Sequence, residues 1–295
     1  KNDEIYKRIR RGNCVIEIKG KEYIIGRKGI IKFFDYPSKF ESKKIERKIL
    51  DPVKQAFDTG DKVQVYITEK ANGENCQISY IKTIDGWLIG SKNVSVLARD
   101  KDDLDFYTAE SFSYAVEFAK LWFDKLEEIK NKGLYDELIN NVDGYTLCGE
   151  NVGLAHQHIK PYEKSDIIFF GMVQNESEDI CLPISRVFEI LSKYGLSVVN
   201  YEKSDPISNL EEFLKYMKMN YMKVLLSDVE TCGEGSVAYI ARINDNDEKI
   251  ISVAKLKTFE YRFLRKIREK LKGSKKSDKD HEEIIKAVEK DRKSV

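Results

Sequence analysis

The sequence predicts an α+β fold built on antiparallel sheets, closed by a short C-terminal helical tail. Three observations lead there. Short β-branched runs with period-two alternation recur along the chain, amphipathic helical stretches interrupt them at irregular intervals, and turn signals such as Asp85-Gly86 separate neighbouring runs. The regular strand–helix alternation expected of a parallel sheet is missing.

Taken in order, residues 12–31 hold Cys14-Val15-Ile16-Glu17-Ile18 and Tyr23-Ile24-Ile25 on either side of Gly20, the pattern of a hairpin. In residues 41–59, Ile45, Ile49, Val53 and Phe57 recur every four positions among Lys, Glu and Arg, as on an amphipathic helix that Pro52 would kink. Runs at 63–67, 77–80 and 87–89 read as one antiparallel meander. Residues 110–139 set Phe112, Val116, Phe118, Ala119, Trp122, Leu126 and Ile129 at helical spacing, enough for one long helix or two short ones. Strands are expected at 145–148, 167–173, 237–243 and 250–255, with helices at 184–194, ended by Gly195, and at 210–217. From Phe259 a basic helix runs to a break at Gly273-Ser274-Lys275-Lys276-Ser277, and a last amphipathic segment carries Ile284, Ile285 and Val288. The division is one domain over 1–258 and a basic helical tail over 259–295.

Composition narrows the function classes. Over 295 residues, 51 Lys plus Arg nearly cancel 50 Asp plus Glu, so the net charge of +1 points to no class of partner. The 34% charged share exceeds the roughly 25% of ordinary domains, yet 41% hydrophobic residues suffice for a core, which excludes wholesale disorder. No apolar run approaches a membrane span or a signal peptide. Cys14, Cys76, Cys148, Cys181 and Cys232 are scattered without paired spacing, as buried thiols of a reducing compartment would be. The expectation is an intracellular protein, cytoplasmic or nuclear.

The chemistry concentrates in Thr68-Glu69-Lys70-Ala71-Asn72-Gly73-Glu74-Asn75. Lys70 directly follows a β-run, and Gly73 allows a tight turn and a close backbone approach. That arrangement suits a mounted nucleophile, and it equally suits a hairpin loop with an exposed lysine. A lysine attacks phosphorus only when neutral, and its ordinary pKa near 10.4 leaves little neutral amine at pH 7. Lys255 and Lys257, two apart on a strand, present one cationic face that would lower that pKa and neutralise phosphate oxygens.

Lys70-Ala71-Asn72-Gly73 fits the Lys-x-x-Gly motif of the covalent nucleotidyltransferases, the superfamily of ATP-dependent DNA and RNA ligases and mRNA capping enzymes. Further pieces follow in that superfamily's order. Ser91-Lys92 resembles motif Ia, Cys148-Gly149-Glu150 motif III, Ile167-Ile168-Phe169-Phe170-Gly171 motif IIIa, Glu234-Gly235-Ser236-Val237 motif IV, and Lys255-Leu256-Lys257 motif V. Upstream, Arg11-Gly12, Ile16-Glu17 and Lys32-Phe33-Phe34-Asp35 resemble the T-even phage RNA ligase family that repairs cleaved tRNA. The similarity spans residues 11–271 and is diffuse between motifs.

The resemblance implies an adenylation domain of ATP-grasp-like ligase fold over 1–258. It also implies an ATP-dependent RNA ligase that joins 3′-hydroxyl and 5′-phosphate ends through a lysyl-AMP on Lys70. On that view Lys70, Lys255 and Lys257 are catalytic, Glu150 contacts the ribose, and Glu234 holds a Mg²⁺ or Mn²⁺ ion. Arg11 and Lys32 hold the β and γ phosphates, and Glu69 and Lys92 complete the ATP-binding set. Partners would be ATP and nicked or broken RNA, tRNA included, with no membrane and a monomeric protein. A GTP-using capping guanylyltransferase shares the motif, and an inactive RNA-binding module would share the fold.

Each feature also has a plainer account. Glu150 and Glu234 read equally as surface carboxylates, Arg11 and Lys32 as a solvated strand edge, and Lys92 rests on its place after Ser91 alone. His156-x-His158 lacks an acidic or thiol partner at ligand spacing and reads as polar loop. Cys76 and Cys148 read as small buried residues, and Phe112, Trp122 and Phe123 as core. The basic helix with Arg262, Arg265, Lys266, Arg268, Lys270, Lys272, Lys275 and Lys276 either tracks phosphates or is a solvated face. Two departures from the phage pattern stand out. Little chain follows motif V, so the separate RNA-specificity domain is missing or replaced by the basic tail, and the 110–139 helical stretch is long enough to help recognise substrate. Lys1 is an unusual first residue, which suits a trimmed piece of something longer, and any attached kinase or phosphatase domain would then lie outside this sequence.

Overall fold

The computed structural model of the protein describes residues 9–20, 22–36, 43–153, 162–245 and 247–273. The His156-x-His158 segment and the last amphipathic segment lie outside them.

The expected hairpin forms from β1 (Cys14–Ile18) and β2 (Glu22–Arg27), a two-stranded antiparallel unit. The remaining strands make two five-stranded sheets. The first, in spatial order, contains β10 (Tyr201–Lys203), β4 (Lys62–Glu69), β11 (Gly235–Ile243), β12 (Glu248–Lys257) and β3 (Phe34–Asp35). The second contains β7 (Ser95–Ala98), β6 (Gly86–Gly90), β5 (Glu74–Ile81), β8 (Tyr145–Val152) and β9 (Asp166–Gln174). All ladders are antiparallel except β12 with β3. This is the antiparallel α+β architecture the sequence predicts.

One expectation is corrected. The run at 63–67 does not join the meander of β5, β6 and β7, because β4 pairs with β10 and β11 in the other sheet. The turn around Lys70 therefore passes the chain from one sheet to the other. The Asp85-Gly86 turn is confirmed, with Asp85 at φ +47° and its carboxylate accepting the Tyr80 hydroxyl at 2.6 Å.

Alternation along the first sheet splits its side chains between two cores. Val63, Val65, Ile67, Ala238, Ile240, Ala254 and Leu256 pack against helices α1 (Lys43–Asp58) and α5 (Leu210–Leu226). The intervening Tyr66, Val237, Tyr239, Ala241 and Val253 join a larger cluster shared with the second sheet. That cluster also takes the buried face of α2 (Ser113–Asn131), where Phe118, Ala119, Trp122 and Leu126 follow the helical period, together with α3 (Tyr135–Val142) and α4 (Ile184–Lys193). A fully buried Phe118 or Leu126 side chain contributes about 1.5–3 kcal/mol. Trp122 and Phe123 are core as expected, and Phe112 packs partly buried against it. Cys76, Cys148 and Cys181 are buried thiols, whereas Cys14 and Cys232 are half-exposed.

One further boundary differs from the sequence reading, at the end of the helix from Leu210, while the 110–139 stretch takes the second of its two expected forms. The 110–139 stretch is two helices, parted at Gly133, whose φ of +70° ends the first. The helix from Leu210 runs on to Leu226, well past 217. Pro52 sits inside α1 without ending it. Proline leaves the carbonyl four residues earlier without its helical donor, and here the Ser252 hydroxyl of β12 donates to the Lys48 carbonyl at 2.9 Å.

Candidate active site

β4, β11 and β12 are antiparallel neighbours, so the end of β4, the start of β11 and the end of β12 meet at one edge of the first sheet. Lys70 comes just after β4, Glu234 lies between the one-turn helix α6 (Val229–Cys232) and β11, and Lys257 closes β12 opposite Gly235. The Lys70 N–H donates to the Gly235 carbonyl at 2.9 Å, extending the ladder by one bond. Gly235 has φ +133°, and a Cβ there would stand 2.1 Å from the Leu256 carbonyl oxygen, so the close approach requires glycine.

Beyond Lys70 the chain crosses to β5 of the second sheet. The Asn72 N–H is held by the Tyr162 hydroxyl at 2.9 Å. Gly73 is required by an approach to backbone rather than to a ligand. A Cβ would lie 2.3 Å from the Asn151 carbonyl oxygen of β8. On the far side of the crossing, Asn75 pairs with Glu150, and the Gln77 side chain joins the Asn75 carboxamide to the Arg11 carbonyl.

These segments enclose a cavity of about 820 Å³ between the sheets. It is lined by Arg11, Lys32, Lys70, Lys92, Glu150, Glu234, Lys255 and Lys257, all anticipated. Glu69, expected beside the nucleotide, is not among the lining residues. It pairs with Ser236 at the end of β4, and strand alternation turns it away from the side Lys70 faces.

Nine basic side chains and three carboxylates line the space, which makes it strongly electropositive. Three of those cations, Arg262, Arg265 and Lys266, come from the first turns of α7 (Phe259–Gly273). At the apolar end stand Ile30, Phe33, Cys148 and Phe170, with Phe33 edge-on to Phe170 and Tyr239. Gly171 leaves room for Ile30, whose Cδ1 would lie 2.6 Å from an added Cβ.

The electrostatics centre on Glu234. Its Oε2 accepts from Lys70 Nζ at 2.5 Å, and Lys257 Nζ stands 3.9 Å from its Oε1. The buried Tyr261 lies beside the same carboxylate, whose charge adds to burial in raising the tyrosine pKa, and Lys257 sits 5.4 Å above the Tyr261 ring. Asp35 is a second bridge, 3.3 Å from Lys255 and 3.7 Å from Lys257.

The expected depression of the Lys70 pKa by Lys255 and Lys257 is not what this arrangement produces. Burial acts against the Lys70 charge, but Glu234 and then Glu150 outweigh it and hold the pKa above the ordinary lysine value. Glu234 stands between Lys70 and Lys257 and screens one from the other. Lys257 itself is pushed down, by burial first and by Lys255 and Arg265, with Asp35 and Glu234 opposing. Glu150 is pushed up to about 7 by desolvation, against the pull of Lys70 and Lys92. Burial raises the Cys148 thiol to about 12 and the Cys76 thiol further, so neither is a thiolate nucleophile.

The sequence reading assigned no role to Asp35 or Tyr261. Asp35 was visible at the end of Lys32-Phe33-Phe34-Asp35, and Tyr261 lies four residues after Lys257, but nothing local marks either as a partner of a distant charge. Among the described residues no group of three or more His, Cys, Asp or Glu is arranged to hold a metal ion. Glu234 alone, with its oxygens facing the cavity cations, suits an ion shared with phosphate oxygens rather than one caged by protein. No described helix is long and apolar enough to cross a membrane.

A sequence model of the family described as RNA ligase matches residues 63–257. No curated protein matches the chain by sequence. Among solved structures, form 2 of an archaeal ATP-dependent RNA ligase is 13% identical with a TM-score of 0.48, covering 95% of this chain and 66% of its own. Form 1 is 15% identical with a TM-score of 0.46, covering 88% and 55%. A Naegleria gruberi RNA ligase with PPi is 14% identical with a TM-score of 0.44, covering 86% and 63%. The chain thus spans less than two thirds of the length of each of these solved chains.

Proposed function

The chain belongs to the RNA ligase family, and we propose that it seals nicked or broken RNA, a cleaved tRNA being one instance, in an ATP-dependent reaction carried by Lys70. One observation supports this most directly. A lysine on the crossing between two sheets faces an electropositive cavity of nucleotide size, flanked by Glu234 and Glu150 from distant segments.

In the first step Lys70 Nζ, having lost a proton, attacks the α phosphorus of ATP. A P–N bond forms, the P–O bond to pyrophosphate breaks, and AMP stays on the lysine. Phe170, Phe33 and Ile30 would receive the base, Glu150 the ribose, and Arg11, Lys32, Lys255 and Lys257 the phosphate oxygens. Lys92 would add charge beside Glu150. A Mg²⁺ or Mn²⁺ ion held by Glu234 and the phosphates would spread the developing charge and offset the anion that keeps Lys70 protonated. AMP then passes to an RNA 5′-phosphate, and a 3′-hydroxyl displaces it to join the strands.

The test is incubation with α-labelled ATP or GTP and a divalent cation, followed by denaturing electrophoresis. Label from ATP that is lost in Lys70→Ala supports the reading. Label from GTP alone points to a capping guanylyltransferase. No label from either, with RNA binding retained, points to an inactive RNA-binding module.

A further inference from the structure

The three cavity cations on α7 are not needed for the nucleotide as placed above, and they differ in origin from the rest. Arg11, Lys32, Lys92, Lys255 and Lys257 come from the hairpin side, the loops and β12, whereas Arg262, Arg265 and Lys266 come from one helix that leaves β12 directly. The Thr258 hydroxyl accepts the Tyr261 N–H at 3.1 Å, and the Arg262 N–H bonds to the Thr258 carbonyl at 3.3 Å, which fixes the helix start.

With Tyr261 turned inward, positions 262, 265 and 266 share a face at three- and four-residue spacing. Arg262 is braced with its guanidinium 5.9 Å from the Tyr221 ring. Arg265 lines the cavity while remaining exposed, close enough for its charge to help lower the Lys257 pKa and to oppose the rise in that of Tyr261. Further along the same helix the sequence has Arg268, Lys270 and Lys272. A cationic excess beyond what one triphosphate and its metal ion neutralise, continued along a helix, suits a chain of phosphates better than a compact ligand.

We infer that Arg262, Arg265 and Lys266 form a binding site for the 5′-phosphate end of an RNA strand, placing it beside the AMP carried by Lys70. This rests on the functional reading above and adds the place where the second substrate sits. A non-bridging oxygen of that 5′-phosphate attacks the adenylyl phosphorus. The new P–O bond makes a pyrophosphate linkage as the P–N bond to Lys70 breaks, and the electron pair returns to Nζ, which takes a proton from water.

The experiment uses the full chain as wild type, as the double variant Arg265→Ala with Lys266→Ala, and as the charge-retaining pair Arg265→Lys with Lys266→Arg. Each is charged with labelled AMP, freed of ATP, and chased with one RNA oligonucleotide bearing either a 5′-phosphate or a 5′-hydroxyl. In the alanine pair, AMP transfer to the 5′-phosphate oligonucleotide should fall about ten- to hundred-fold more than self-adenylylation, the range for charge-assisted contacts. The binding preference for 5′-phosphate over 5′-hydroxyl should vanish, and the charge-retaining pair should restore most of both. Equal loss of adenylylation and transfer would assign these cations to the nucleotide and overturn the inference, as would transfer unaffected by the alanine pair. A wild type that takes no label from ATP would instead bring down the functional reading.

Discussion

Lys70 Nζ lies 2.5 Å from Oε2 of Glu234, a residue 164 positions later in the chain. The pair is largely enclosed, with side-chain exposures of 19% and 10%, and the same carboxylate also faces Lys257. The proposed nucleophile is thus delivered as an ammonium with a fixed counterion, and its activation requires that this partnership be relaxed.

Replacing Lys70 by Ala or by Arg should abolish covalent nucleotide attachment. Arginine keeps the charge opposite Glu234 but holds its proton at any accessible pH. Intact-protein mass spectrometry after incubation with ATP should show the increment of one AMP in wild type and neither variant. An increment in Lys70→Arg would move the nucleophile elsewhere.

Glu234→Gln leaves Lys70 and Lys257 without their shared carboxylate. Removing one partner of a buried pair costs about 3–5 kcal/mol, and partial solvent access should bring this case to the low end. Urea unfolding reads the stability loss, and nucleotide attachment should fall at least ten-fold. Unchanged attachment would refute the part given to Glu234.

Tyr261→Phe keeps the ring beneath Lys257 and removes the hydroxyl beside Glu234. A hydroxyl donated to the Glu234 carboxylate during the reaction would be worth about 1.5–3 kcal/mol, so adenylylation should drop roughly ten-fold or more with little change in fold by circular dichroism. Tyr261→Ala should be worse on both counts. Equal activity of wild type and Tyr261→Phe would make the tyrosine mere packing.

Two pH dependences follow from the charges around Lys70. Because Glu234 and Glu150 raise its pKa, the neutral fraction grows with pH throughout the neutral range, so attachment should speed up from about pH 7 to pH 9 without a plateau. Glu150 runs the other way for stability. Its folded pKa of about 7 exceeds the ordinary 4.5, so the native state binds its proton more tightly than the unfolded chain does. That contribution is fully present below 4.5 and is lost as pH rises through about 7. Glu150→Gln should therefore gain stability relative to wild type between about pH 5 and pH 8, read from urea midpoints. Parallel midpoint curves would count against a raised Glu150.

Gly73→Ala would bring a Cβ within 2.3 Å of the Asn151 carbonyl oxygen. Overpacking of this kind costs about 1–3 kcal/mol, and the displaced crossing should carry Lys70 with it. Both the melting temperature and nucleotide attachment should fall. A variant with wild-type melting would mean the crossing is looser than the geometry implies.

Much of the fold was legible along the chain, because strand alternation, helical period and turn residues are local properties. The β1–β2 hairpin, the amphipathic α1 and the Trp122 face of α2 needed no knowledge of their partners. The assignment of β4 to a meander failed for the complementary reason. A β-run announces a strand but not its neighbour, and nothing within residues 63–80 states that β4 will pair with a strand 170 residues on.

The candidate residues followed the same division. Lys70, Lys255 and Lys257 could be singled out from residue type and position beside strands, and Glu150 and Glu234 through the order of the motifs they resemble. Their convergence on one cavity, the exclusion of Glu69, and the recruitment of Asp35, Tyr261 and Arg265 came from strand register and from the helix that follows β12. Charge interactions act through space and fade with distance. The protonation of Lys70 therefore belongs to whichever carboxylates the sheets bring near it, and no stretch of sequence contains that information.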